Sequence, residues 1–84
     1  MDALLITQRL AKQIRIKRLN KGYKQSDLAK LAGVTRQKMI EIEQGSMSVS
    51  MGAYARVMGA LSSEMTLVAA RLPTLEELAD IFNE

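Results

Sequence analysis

The chain reads as a mainly α-helical domain with five helices and one short strand near its C-terminal end. Three observations predict this. Apolar residues recur every three or four positions in successive segments, the period of one helix face. Gly22, Gly33 and Gly45 punctuate those segments where a residue of positive φ commonly follows a last helical turn. One stretch, 65–70, breaks the helical period and alternates instead, and Pro73 stops it.

The elements follow in order. Thr7 is placed to cap a first helix that runs to about Asn20, with Leu10 and Ile14 on its inner face. Residues 2–6 fit either an extended arm or an extension of that helix. A second helix spans 25–32, with Leu28, Ala29, Leu31 and Ala32 at helical spacing. Gly33 ends it, Val34 begins a tight link, and Thr35 caps a third helix over 36–44. Gly45 closes that helix. A loop over 46–50 leads to a fourth helix, about 51–61. Gly52 and Gly59 weaken it locally, so packing must hold it. Thr74 and Glu77 have the spacing of a capping box. They open a last helix from Leu75 to about Phe82, with Leu75, Leu78, Ala79 and Phe82 on one face.

A lone strand leaves its backbone N–H and C=O groups without partners. Pairing with the same strand of a second copy, across a twofold axis, supplies them. Met65, Thr66, Leu67, Val68 and Ala69 are the candidate dimer residues. The chain thus divides into a helical part, 1–62, and a strand-plus-helix dimerisation extension, 63–84, within one compact domain.

Composition narrows the function. The chain has no cysteine and no histidine. Disulfides, thiolate metal sites and most acid–base designs lean on one or the other, so neither a metal, a cofactor nor an enzyme is expected. No apolar stretch nears the ~20 residues of a membrane helix, and the first six residues lack the charged region of a signal peptide. A reducing cytoplasm is the expected compartment. The charge is uneven. Residues 1–45 carry ten Lys/Arg and four Asp/Glu, whereas 46–84 carry two and five. A basic half fits a phosphate-bearing partner, or simply a solvated face rich in Lys and Arg.

Residues 25–45 read QSDLAKLAGVTRQKMIEIEQG. Two helices meeting across a very short turn need a small residue where they approach, a glycine in the turn and an apolar pin on the second helix. Ala29, Gly33 and the trio Val34, Met39 and Ile42 meet those needs. The outward stripe of the third helix then holds Arg36, Gln37, Ile40, Glu41 and Gln44. In this arrangement such a stripe enters the major groove of DNA. Arg36 suits a guanine edge and Gln37 an adenine edge. Gln25 and Thr35 stand at helix N-termini, where phosphate is favoured.

These residues resemble the lambda-repressor-like helix-turn-helix family, also called the Cro/XRE family. The likeness covers residues 7 to about 61 and rests on Gln25, Leu28, Ala29, Gly33, Val34, Thr35, Ile42, Glu43 and Gly45. It implies a structural ion pair between Arg18 and Glu43. It implies DNA contact by Gln25, Arg36, Gln37 and Glu41, and base-reading is expected of Arg36, Gln37, Ile40 and Glu41. Backbone contacts fall to Gln25, Thr35 and Lys38, and are also expected of Lys24, Gln44 and Arg15. The C-terminal part, 48–78, is similar to the subgroup containing HipB-type antitoxins, in which a strand after the helical domain builds the dimer.

Two residues depart from the family pattern. Ile40 is apolar where a polar residue is usual; it suits a thymine methyl or a protein contact. Glu41 suits a cytosine amino group, or pairs with Lys38 one turn before it. The expected function is a homodimeric, sequence-specific regulator of transcription, a repressor on an inverted-repeat operator of double-stranded DNA, with no small-molecule effector evident. One alternative is an antitoxin that binds both operator DNA and a toxin protein. Another is a protein-interaction module that has lost DNA binding.

Overall fold

The computed structural model describes residues 2–82, with side chains to Asp80. Five helices are present: α1 (Ala3–Asn20), α2 (Gln25–Ala32), α3 (Arg36–Glu43), α4 (Met51–Ala60) and α5 (Leu75–Phe82). Helices α2 to α5 match the predicted segments to within one residue.

The start of α1 settles the open choice over 2–6. The helix begins at Ala3, and the Asp2 carboxylate caps it by accepting from the Leu4 amide. Thr7 is not the cap. Its hydroxyl donates to the Leu4 carbonyl one turn back, as serine and threonine do inside helices. The extra turn has a purpose in packing, because Leu5 is fully buried.

One continuous core joins α1 to α4. It contains Ile14, Leu28, Ala29, Met39, Ile42, Val57, Met58 and Leu61, with Val49 and Tyr54 closing the loop between α3 and α4. The Tyr54 hydroxyl donates to the Ser46 carbonyl at 2.6 Å, which anchors that loop, and burial pushes the phenol pKa up. Leu31 lies on the outer face of α2 and is exposed. Eight residues make little more than two turns, and the inner face is filled by Leu28, Ala29 and Ala32.

Two glycines meet specific demands. Gly33 ends α2 at φ +72°, and its amide donates to Ala29 and Lys30 carbonyls. Gly45 has φ +76° and lies against α1. A Cβ there would sit 3.1 Å from the Gln8 Cα. Only glycine lets the end of α3 come this close to the α1 backbone.

The strand expected at 65–70 is absent: among the described residues there is no strand. From 64 to 72 no backbone N–H has a hydrogen-bond partner among the described residues. A strand requires a ladder, and among the described residues no second strand lies beside this segment to provide one. The segment is an exposed strap carrying Leu67, Val68 and Leu72 in solvent. Beyond it the expected capping box opens α5: Glu77 accepts from the Thr74 amide, and Thr74 accepts from the Glu77 amide. Leu78 is half-buried, Leu75 is exposed, and Phe82 lies outside the described side chains.

Candidate nucleic-acid interface

Helix α3 is fixed on one side and open on the other. Met39 and Ile42 are fully buried. Each such side chain contributes about 1.5–3 kcal/mol, more than an exposed ion pair supplies, so packing sets the orientation of α3. Val34 packs against the same core from the turn. Thr35 accepts from the Lys38 amide and caps the helix. The N–H groups of Arg36 and Gln37 remain unpaired in the first turn, as helix geometry requires.

A second constraint acts at the C-terminal end of α3. Arg18 of α1 and Glu43 of α3 form a bidentate pair at 2.6 and 3.0 Å, and both side chains are nearly excluded from solvent. Arg18 also donates to the Tyr23 carbonyl, tying in the link between α1 and α2. Gln25 donates to Glu43 at 3.4 Å. Three helices thus meet at one carboxylate. Among the described residues no buried side-chain polar atom lacks a partner.

The open side carries the candidate contacts. Arg36 and Gln37 are exposed on α3, and so are Thr35 and Gln44 at its two caps. Lys38, Ile40 and Glu41 are half-buried. The stripe is therefore narrower than its spacing suggests, with its most accessible members at the two ends of the helix. Ile40 does not join the core cluster. No ion pair forms between Lys38 and Glu41 within the described residues. Lys24 is exposed before α2, while its backbone N–H is taken by the Asp27 carboxylate. Gln25 is half-buried and partly engaged by Glu43.

The basic residues of α1 separate into two flanks. Arg15 is exposed, and Lys17 lines the groove beside the strap. Two residues along a helix lie about 200° apart around its axis, so Arg15 and Lys17 do not serve one surface. Met65, Thr66, Leu67, Val68 and Ala69 stand together on the strap, all exposed.

Sequence reasoning missed one cluster. Arg9 of α1 grips Glu77 of α5 through two hydrogen bonds and also donates to the Arg71 carbonyl. The partners are 62 and 68 positions apart. The capping-box spacing located Glu77, but nothing in the sequence pairs it with Arg9.

Among the described residues no group of His, Cys, Asp or Glu could hold a metal ion, and no helix is long and apolar enough to cross a membrane. Comparison with protein-family models and with curated proteins finds no match to this chain.

Proposed function

We propose that this chain is a sequence-specific, double-stranded-DNA-binding regulator of transcription that acts as a homodimeric repressor on an inverted repeat. The observation that carries the reading is α3 itself. Its inner face is buried at Met39 and Ile42, its end is locked by Arg18 and Glu43, and its first turn presents Arg36 and Gln37 to solvent. A rigid helix with an exposed arginine and glutamine at its N-terminal end suits base edges in a major groove. Thr35, Lys38, Gln44, Lys24, Gln25 and Arg15 are the phosphate-contacting set in this reading, and the basic half of the chain provides the attraction.

The dimer is built by the strap. Unpaired backbone and exposed apolar side chains from 65 to 69 suit antiparallel pairing with a second copy. Two subunits then present α3 about one helical turn apart, ~34 Å. We place the protein in the cytoplasm, without a cofactor or catalytic activity.

Selection of bound sequences from a random duplex library, followed by titration of the selected duplex at two salt concentrations, tests the proposal. An enriched inverted repeat with affinity falling steeply as salt rises is the expected result. Absence of both enrichment and salt-sensitive binding overturns it. A second reading, a protein-binding module of this shape, is favoured by the position of Ile40, partly exposed and outside the core. The antitoxin form of the main reading adds a toxin protein as a further partner.

A further inference from the structure

The strap is attached to the body at two points. At its start the Ser63 amide donates to the Met58 carbonyl at the end of α4. At its end the Arg9 guanidinium takes hold of the Arg71 carbonyl and, through Nε and Nη2, both carboxylate oxygens of Glu77. Between them the strap stands off α1: an open groove of about 800 Å³ separates the two, bordered by Leu10, Lys17, Leu61 and Met65. Among the described side chains of α5, Leu78 is half-buried and Leu75 is 86% exposed. The arginine cluster is the polar fixed point at that end among the described residues. Its side chains are only 12% and 17% exposed for Arg9 and Glu77, so solvent screens the pair less than an open surface pair.

We propose that Arg9 is a positioning residue for the strap: by holding Glu77 and the Arg71 carbonyl together it fixes the path of 64–70 relative to α1, and so sets the spacing at which two copies engage two DNA half-sites. The second half rests on the DNA-binding reading. With both ends fixed, two paired straps define one orientation of the two bodies. With only the Ser63 end fixed, each body turns about a hinge at 62–64, where Ser62 already has φ +53°. Distribution over many orientations lowers the effective concentration of the second α3 at its half-site.

The test compares the full chain with Arg9→Ala, Glu77→Gln and Arg9→Lys. Amide exchange of 75–80, sedimentation, and binding to inverted repeats with spacers varied one base pair at a time are measured. In Arg9→Ala and Glu77→Gln, α5 exchange rises at least about tenfold while the body stays protected. The dimer persists, single half-site affinity is unchanged, and affinity at the preferred spacing falls about tenfold so that the spacing curve flattens. Arg9→Lys, which keeps the charge but not the two-sided grip, recovers part of the loss. Unchanged α5 exchange in Arg9→Ala overturns the latch. Raised exchange with an unchanged spacing curve overturns its positioning role, as does loss of the dimer that Arg9→Lys leaves unrepaired. If the unaltered chain selects no duplex, the DNA reading fails and the spacing claim with it. The exchange data then decide the latch alone.

Discussion

At the scale of single residues, the difference between a buried and an exposed charge decides what each substitution does. Arg18 and Glu43 are nearly excluded from solvent. Removing one leaves the other desolvated and unpaired, which typically costs about 3–5 kcal/mol. Glu43→Ala should therefore lower the denaturant midpoint severely. The double change Arg18→Met with Glu43→Leu should cost less than Glu43→Ala alone, because it leaves no orphaned charge. Chemical denaturation of both variants checks this. Arg36 and Gln37 lie at the other extreme. They are exposed, so Arg36→Ala and Gln37→Ala should leave stability unchanged within about 0.5 kcal/mol. In the DNA-binding reading each weakens the selected duplex by about 1–3 kcal/mol. Unchanged affinity in both variants would remove base-reading from α3.

Elements differ in what holds them. Helices α2, α3 and α4 are held by shared apolar burial, whereas α5 depends on a capping box and an arginine. The Glu77 carboxyl is held at about 2, well below its ordinary 4.5, chiefly by the Arg9 hydrogen bond and then by the Thr74 amide. A lowered folded-state pKa stabilises docking fully above the ordinary value and loses that contribution as pH falls toward 2. Amides of α5 should therefore lose protection between about pH 4.5 and about pH 2, read by exchange corrected for intrinsic rate. In Glu77→Gln the same amides should be poorly protected already at neutral pH. Among the described residues the strap's N–H groups from 64 to 72 make no backbone hydrogen bonds. Val68→Pro should consequently leave helix content intact while abolishing strand pairing between copies. A full-strength dimer of this variant by sedimentation would rule out the ribbon.

For the molecule as a whole, the core and the extension are separable. Every buried residue among those described lies at or before Leu61. A chain ended at residue 62 should unfold cooperatively and remain monomeric. In the DNA-binding reading it keeps half-site affinity but loses the preference for an inverted repeat, since nothing links two copies of α3. Circular dichroism melting and titration with single and paired half-sites distinguish these outcomes. The charge follows the same division. Residues 1–62 carry eleven Lys/Arg and four Asp/Glu, and 63–84 carry one and five.

Local chemistry alone determined five helices, the turn at Gly33, the end of α3 at Gly45 and the Thr74–Glu77 capping box. Each depends on residues within about one helical turn, where spacing and side-chain type state the geometry directly. The outward position of Arg36 and Gln37 was legible for the same reason, once Met39 and Ile42 were placed inward. Tertiary structure decided the rest. The first turn of α1 forms because Leu5 finds a buried site and Asp2 caps it, so Thr7 falls inside the helix. Leu31 faces outward because α2 has only one neighbour-facing side and three other residues fill it. The 65–70 segment has strand-like residues, but strand formation requires a second backbone that the single chain does not place there. The grip of Arg9 on Glu77 joins positions 68 apart. No local pattern encodes such a contact, because it exists only after α1 and α5 have been brought together by the fold.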